Sequence, residues 1–332
     1  MSADGPLRGA RAVVPCRACL SGEDLDWLGG RSVSVALDLT TTVEVLPDGP
    51  QAPGGTSDGG FGNGNGSGNG SDGGDWARQV WDYLRERLHG LPERPPAVRV
   101  GSDAPAASGL SSSTALIVAL FEAYLAALGR TGEVDVETVT HWAYHFEFLV
   151  FNGGGMDQVA VLRGGALLLE GRPTGLPVIR ERALFPEDWT VLVVDSATAK
   201  STGDHIRIVR AQLADGDAKL ADYLATADAA SEEVWKALGA HDLDGLGAAM
   251  GRAHVAMRDF QAMSTPFLET LRDLARDRVG QPLKLSGAGG GGALVGVCPA
   301  EEAERTAARL RTAFEGHPDV RVMPVRAAGP RV

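Results

Sequence analysis

The segment "SGLSSSTALIVAL", residues Ser108–Leu120, joins a glycine and three consecutive serines directly to an apolar run. From Ala115 onward, apolar side chains recur at helical spacing on two adjacent faces, which is typical of a helix that is buried on more than one side. The sequence therefore predicts a buried helix at about residues 112–129, with a start that is rich in hydroxyl groups.

The start of this predicted helix has the features of an anion site. Gly109 permits a backbone turn that a side chain would forbid, and any of Ser111, Ser112 and Ser113 can act as the helix N-cap. A helix N-terminus offers free backbone N–H groups and the positive end of the macrodipole, which favour phosphate. Capping needs one hydroxyl, so the others are available to phosphate oxygens or to Mg²⁺. A serine-capped helix without a ligand is the alternative that this segment alone leaves open.

The composition limits the classes of partner. The 332-residue chain is 44% apolar, which suffices for a packed core and two domains of ordinary size. Its net charge of −12, with no basic cluster, argues against nucleic acid or an anionic membrane surface as a partner. The sequence shows neither an apolar run of about 18 residues nor a signal peptide, so we expect no membrane span. We expect a cytoplasmic monomer or homodimer, and the Cys16–Cys19 spacing, without a second pair, is not expected to bind metal.

Hydrophobic patterns predict a mixed α+β protein with two domains, residues 1–183 and 184–332. Predicted strands cover residues 12–20, 32–46, 95–101, 164–171, 189–196, 293–298 and 319–325. Predicted helices cover residues 76–88, 112–129, 136–151, 203–274 with breaks near Gly216 and Gly239, and 300–315. The glycine-rich tract 53–75 cannot bury apolar area and is not framed by a strand and a helix, so it predicts a flexible insertion rather than a phosphate loop.

A second glycine-rich segment, "LKLSGAGGGGALVGV" at 283–297, lies between a short and a longer predicted strand. Glycine clusters permit close backbone approach to a ligand, although a tight hairpin turn is the alternative. Lysine is rare in this chain, which draws attention to Lys284 beside the glycines.

Carboxylates occur in two further segments. In "FEFLVFNGGGMDQ" (146–158), Glu147 stands in an apolar helical run, where a buried carboxylate needs a partner or a metal unless it faces solvent at the helix edge. Asp157 follows three glycines that would let a substrate approach, although a turn or cap role is also common there. In "PCRACLSGEDLDWLGG" (15–30), a cluster of carboxylates could hold sugar hydroxyls or form a solvated loop. Its charged residues are Arg17, Glu23, Asp24 and Asp26.

Taken together and in this order, the segments resemble the GHMP kinase superfamily. The matching features are the early proline, arginine and glycine–glutamate, then G-L-S-S-S-x-A, G-G-M-D-Q and S-G-A-G-G-G-G, over residues 15 to about 298. The resemblance implies an N-terminal domain like ribosomal protein S5 domain 2, a ferredoxin-like C-terminal domain, and ATP bound between them with Mg²⁺. The nucleotide site so implied comprises Gly109, Leu110, Ser111, Ser112, Ser113, Thr114, Gly287, Gly289 and Gly290.

Within the superfamily, "PCRACLSGEDLDW" is similar to the galactokinase signature P-G-R-V-N-L-I-G-E-H-T-D-Y. The similarity places Arg17, Glu23 and Asp26 on positions that contact the sugar or the catalytic aspartate. Asp24, which we include among the substrate-binding candidates, departs from the histidine of that signature.

The later motifs imply the remaining roles. "GGGMDQ" resembles the galactokinase G-I-M-D-Q, which places Asp157 on the catalytic aspartate with Gly155 beside it in the substrate site. Glu147 lies close to the Mg²⁺-binding glutamate of the family, and Ser113 is the second implied Mg²⁺ ligand. Arg17 would then keep Asp157 ionised by charge pairing.

The implied reaction transfers the γ-phosphoryl group of ATP to the anomeric hydroxyl of an aldose or aldose phosphate. The C-terminal "AMSTPFLETLRDLA" and "KLSGAGGGGALV" are similar to kinases of heptose 7-phosphate and of octose phosphates in antibiotic pathways. A kinase for a non-sugar alcohol, such as mevalonate or homoserine, and a non-catalytic sugar sensor are the alternatives. Arg207 and Arg210 either contact a distal phosphate of the substrate or lie on a helix surface without contacting the substrate.

Overall fold

The computed structural model describes residues 7–47, 72–198 and 202–331, and over these ranges the protein is α+β with two antiparallel sheets. The strands are β1 (Ala10–Ser21), β2 (Arg31–Val45), β3 (Val98–Ser102), β4 (Ala166–Glu170), β5 (Val178–Ala183), β6 (Trp189–Asp195), β7 (Lys284–Leu285), β8 (Ala293–Pro299) and β9 (Arg321–Val325). The helices are α1 (Leu25–Leu28), α2 (Asp72–Arg87), α3 (Ser112–Ala127), α4 (Val136–Phe151), α5 (Met156–Arg163), α6 (Thr202–Asp215), α7 (Ala218–Gly239), α8 (Leu243–Gln261), α9 (Pro266–Val279) and α10 (Ala303–Ala313).

The first sheet has the order β1-β2-β4-β5, with β3 paired to β2. Helix α3 packs across β1 and β2 and also contacts α2, α4 and α5. Twelve of its 16 residues are buried, so it needs apolar side chains on nearly every side. The prediction of a buried helix behind the serine run is therefore confirmed, with the boundaries Ser112–Ala127.

The second sheet has the order β7-β8-β6-β9, and its core includes side chains from α8, α9 and α10. The two sheets divide between β5 and β6, close to residue 183. After β9 the chain returns to the first sheet, where the Ala328 N–H donates to the Ala36 carbonyl at 2.8 Å. The assignment of 1–183 and 184–332 as separate domains stays a prediction.

Most of the predicted elements are present, and the differences have local causes. The long helical stretch breaks a third time after α8, where Ala262 adopts a left-handed conformation ahead of Pro266. The four-residue α1, the eight-residue α5 and the exposed β5 were missed, because elements of this length carry weak periodic signals. The predicted end of the flexible insertion at residue 75 is also wrong, because α2 begins at Asp72. Residues 53–71 of this tract lie outside the described ranges.

Both Cys16 and Cys19 are buried and unbridged, and both lie within β1. Among the described helices, none combines the length and apolar character that crossing a membrane requires.

The two glycine-rich segments meet in space. The Ala293 N–H donates to the Ser108 carbonyl at 2.7 Å, and the Ser286 hydroxyl donates to the Gly109 carbonyl at 3.3 Å. Gly292 has a φ of +82°, and a Cβ at this position would lie 2.7 Å from the Ser108 carbonyl oxygen. Close backbone contact, rather than a simple hairpin turn, accounts for glycine there.

We predict that Gly292→Ala destabilises the protein more than Gly290→Ala. Both positions have positive φ, but a Cβ at Gly290 meets no atom within 4 Å. The shared left-handed strain costs about 1–2 kcal/mol, and the added clash at Gly292 should bring its cost to about 3 kcal/mol. Urea unfolding of the two variants measures this difference, and equal losses would contradict the contact.

Candidate active site

A cavity lies where the β1–α1 connection, the start of α3, the α4–α5 connection, α6 and the second glycine-rich segment converge. Sequence-predicted residues far apart in the chain line this cavity together. The charged residues among them are Arg17, Glu23, Asp24, Asp26, Glu147 and Asp157.

Arg17 and Asp157 form the central ion pair. Arg17 projects from β1 and is buried, and its Nη2 lies 2.6 Å from Asp157 Oδ1, while its Nε donates to the same oxygen at 2.8 Å. Its Nη1 donates to the Gly109 carbonyl at 2.7 Å. Burial alone would lower the pKa of Arg17, but Asp157 raises it above the ordinary value. Both contacts to Asp157 use Oδ1, so Oδ2 can accept a proton from a substrate hydroxyl.

Glu147 is buried in α4, so the interpretation that it faces solvent at the helix edge is wrong. Its carboxylate accepts hydrogen bonds from the Thr114 hydroxyl at 3.0 Å and from the Gln158 side-chain amide. Burial, reinforced by the nearby negative charge of Asp157, raises the pKa of Glu147 to about 8. The hydroxyl beside Glu147 is thus that of Thr114, whereas Ser113 is exposed at the helix start.

Asp26 is buried beneath the glycines that precede Asp157. Its Oδ2 accepts the Met156 N–H at 2.8 Å, and a Cβ on Gly154 would lie 1.9 Å from that oxygen. Glycine at position 154 therefore lets the α4–α5 connection close over Asp26. Burial raises the pKa of Asp26 to about 7, and the charges of Asp157 and Asp24 add to this effect.

Glu23 is paired with Lys284, a residue to which the sequence draws attention without indicating a role. The Lys284 ammonium is buried and donates to Glu23 Oε1, to the Leu285 carbonyl at 2.6 Å and to the Cys19 carbonyl at 3.3 Å. The other carboxylate oxygen, Oε2, is buried and has no hydrogen-bond partner. The rarity of lysine in the chain was the available signal for Lys284.

Asp24 is held by residues from two helices. His205 Nε2 in α6 lies 2.6 Å from Asp24 Oδ2, and the Trp27 indole N–H donates to Asp24 Oδ1 at 3.3 Å. Asp24 has a φ of +65°, so its backbone is strained where the galactokinase signature has histidine. No local pattern in the sequence predicts the contact with His205.

The two candidate arginines of α6 differ in their surroundings. The Arg207 side chain is 74% exposed and pairs with Asp204. Arg210 donates to the Asn152 carbonyl and its guanidinium lies 4.7 Å from the Trp27 ring centre. Arg210 thus contacts residues at the cavity, whereas Arg207 points into solvent.

At the start of α3, Ser111 is the N-cap residue, as predicted for one of the three serines, and it has a φ of +60°. The side-chain hydrogen bond expected of such a cap is absent. The hydroxyls of Ser108 and Ser111 are instead buried without a hydrogen-bond partner. Unpaired buried hydroxyls beside a helix N-terminus fit a ligand with phosphate oxygens.

The second glycine-rich segment closes the opposite side. The Gly287 N–H donates to Glu23 Oε1 at 3.3 Å, and the Gly290 N–H donates to the Met263 carbonyl at 2.7 Å. A Cβ on Gly289 would lie 2.4 Å from the same Met263 oxygen. Gly289 and Gly290 are therefore held by Met263, so any part they take in nucleotide binding comes from close approach rather than from the Gly290 N–H.

Two segments of the chain match models of known protein families. Residues 76–165 match the GHMP kinases N terminal domain, and residues 235–316 match the GHMP kinases C terminal domain. The chain belongs to the GHMP kinase family. As a GHMP kinase it is an ATP-dependent phosphotransferase that uses Mg²⁺.

Related sequences come from two branches of the GHMP kinases. Galactokinase of Mycobacterium bovis is 26% identical over 90% of this chain and 92% of its own length. Mevalonate kinase ERG12 of Gibberella zeae is 30% identical over 67% of this chain, but the match spans only 49% of that protein.

Solved structures share the fold at low sequence identity. Lactococcus lactis galactokinase complexed with galactose gives a TM-score of 0.76 at 14% identity, covering 98% of this chain and 95% of that one. L. major mevalonate kinase in complex with R-mevalonate gives 0.73 at 20% identity and covers all of both chains. The α+β GHMP kinase fold is thus confirmed.

The residues present fit a nucleotide with Mg²⁺. The described residues contain no group of three His, Cys, Asp or Glu placed to hold a metal ion by themselves. Glu147, a neighbouring hydroxyl and the phosphate oxygens of a nucleotide would together supply the oxygen ligands that Mg²⁺ prefers. The hydroxyls of Ser108 and Ser111, which are buried without a partner near the start of α3, are the candidates to contact the phosphates.

We predict that replacing Asp26 by Asn stabilises the protein increasingly as pH rises. The folded carboxyl titrates at about 7 against 3.8 for the ordinary group, so between these values only the folded state keeps the proton. Rising pH therefore destabilises the wild type, and the advantage of Asp26→Asn should grow by about 3 kcal/mol between pH 5 and pH 8. Urea unfolding at both pH values measures it; a pH-independent difference would show that Asp26 is ionised in the folded protein.

Proposed function

We propose that this GHMP kinase is a sugar kinase that phosphorylates the anomeric hydroxyl of an aldose or aldose phosphate. The observation that carries the proposal is the ion pair between buried Arg17 and partly exposed Asp157, beside a carboxylate wall, by which we mean Glu23, Asp24 and Asp26. Carboxylates accept hydrogen bonds from several hydroxyls at once, which suits a polyol. The galactokinase relatives support the same choice.

Proton transfer in the proposed reaction falls to Asp157. Arg17 fixes Oδ1, which leaves Oδ2 to orient the acceptor hydroxyl and take its proton. An anomeric hydroxyl is more acidic than an ordinary alcohol, so a carboxylate base is adequate. Because phosphoryl transfer depends chiefly on positioning and charge stabilisation, holding Asp157 by a buried guanidinium is a direct contribution to the rate.

Nucleotide binding is assigned to the segment Gly109–Thr114 and the second glycine-rich segment. ATP with Mg²⁺, when bound, supplies the phosphoryl group and neutralises charge on it. The α3 N-terminus would hold phosphate oxygens through backbone N–H groups and serine hydroxyls. Glu147 would hold the metal ion, with Ser113 or Thr114 as the hydroxyl ligand; Thr114 is the one already beside it.

A kinase for mevalonate is the second candidate, and the 30% identity to a mevalonate kinase favours it. The carboxylate wall opposes it, since mevalonate is itself a carboxylate. A non-catalytic sugar sensor fits less well, because Arg17 and Asp157 are present and paired. The role in antibiotic sugar biosynthesis follows from the resemblance of the C-terminal half alone.

An ADP-release assay over aldoses, aldose phosphates, mevalonate and homoserine tests the proposal. We expect Mg²⁺-dependent ADP release with an aldose or aldose phosphate, and NMR of the product should place the new phosphate on C1. Asp157→Asn should retain ATP binding and lose about 10²–10⁴-fold in kcat, whereas the exposed Asp273→Asn should not. ADP release with mevalonate alone would exclude a sugar kinase, and a fully active Asp157→Asn variant would remove Asp157 from the mechanism.

We predict that Glu147→Gln raises the Mg²⁺ concentration needed for half-maximal activity. The amide keeps the size of the side chain but cannot supply an anionic ligand, so the requirement should rise by about tenfold or more. Glu133→Gln, at a largely exposed position, is the matched control. An unchanged Mg²⁺ titration of Glu147→Gln would place the metal ion elsewhere.

A further inference from the structure

We infer that the acceptor is an unphosphorylated aldose, because the cavity suits hydroxyl donors and opposes a phosphate or carboxylate on the substrate. The inference rests on the proposed sugar kinase activity, which leaves free and phosphorylated aldoses both open. Three independent features of the cavity support it: an unsatisfied acceptor, the balance of charges, and the engagement of the nearby cations.

The unsatisfied acceptor is Glu23 Oε2. Glu23 lines the cavity and is only 2% exposed, yet Oε2 has no hydrogen-bond partner although Oε1 has two. A buried carboxylate oxygen without a donor is costly, so a ligand that donates a hydrogen bond is favoured there. A sugar hydroxyl donates, whereas the oxygens of a phosphate dianion only accept.

The charges around the cavity are predominantly negative. Among the described residues that line it, five are carboxylic acids and one, Arg17, is basic. Arg17 already binds Asp157 and the Gly109 carbonyl, and Lys284 behind the wall donates to three acceptors. Neither Arg17 nor Lys284 is therefore available to an anionic group on the substrate.

The side chains of α6 near the cavity also have partners. His205 Nε2 lies 2.6 Å from Asp24 Oδ2, and Arg210 donates to the Asn152 carbonyl and stacks over Trp27. Arg207 is largely exposed and pairs with Asp204. A distal phosphate would have to displace one of these contacts. Of the two alternatives for Arg207 and Arg210, a helix surface without a substrate role therefore agrees with this inference, whereas contact with a distal phosphate does not.

Matched pairs of acceptors test the inference. ADP release is measured with galactose and galactose 6-phosphate, mannose and mannose 6-phosphate, and a heptose and its 7-phosphate, at saturating Mg²⁺-ATP. We expect kcat/KM for the best free aldose to exceed that for its phosphate by about 100-fold or more, since like charges in an interface are strongly disfavoured. Equal or higher kcat/KM for a phosphate would overturn the inference and leave the sugar kinase standing. Release with mevalonate and none of the pairs would overturn both.

Two variants separate charge from structure. Asp24→Asn removes one negative charge while keeping an amide oxygen for the Trp27 indole, and should narrow the free-to-phosphate ratio by about tenfold. Arg207→Ala, at an exposed position, should leave the ratio unchanged. A selective loss of phosphorylated acceptors in Arg207→Ala would show that Arg207 reads a distal phosphate and would contradict the inference.

Discussion

The Arg17 guanidinium is the contact on which the rest of the site depends. From β1 it reaches the carboxylate of Asp157 in α5 and the carbonyl of Gly109 ahead of α3, so three separate segments meet on one buried cation. A buried charge is costly unless it is paired and hydrogen-bonded, and here both conditions are met within 2.8 Å. The same group therefore fixes the distance between the proposed base and the proposed phosphate site.

Around Arg17, the buried carboxylic acid side chains outnumber the basic side chains that are paired with them. Glu23, Asp26 and Glu147 are all buried, and only Glu23 has a buried lysine. Burial, reinforced by this crowding of acids, raises the pKa values of Asp26 and Glu147. Buried acids without a basic partner are common in functional sites, where a bound metal ion and substrate hydroxyls can supply the missing partners.

What could be predicted from the sequence was mostly local. The apolar side chains that follow the serine run at helical spacing lie on two adjacent helix faces. This pattern is enough to predict α3, since such a helix must be buried. The glycines at 154 and 292 were noticed as clusters, but the reasons for them are an aspartate and a carbonyl from remote segments. The family resemblance could be recognised from the order of the motifs, because each motif is a short contiguous segment of the sequence.

The contacts that were missed join residues far apart in the chain. Lys284 and Glu23 are separated by 261 positions, and His205 and Asp24 by 181. No periodicity reports such pairs, because they arise only when the second glycine-rich segment and α6 fold against the β1–α1 connection. The capping hydrogen bond expected from a serine is absent for a related reason. Ser111 is the N-cap residue, but it takes a left-handed conformation with its hydroxyl buried, which a local rule for hydroxyl residues does not predict.

The proposed roles of Arg17 and Asp157 are best tested by a crystal structure with a non-hydrolysable ATP analogue, Mg²⁺ and an aldose. We expect the phosphates over the α3 N-terminus and the acceptor hydroxyl within hydrogen-bonding distance of Asp157 Oδ2, with Arg17 still on Oδ1. A nucleotide bound away from Gly109–Thr114, or an acceptor that does not touch Asp157, would contradict these roles.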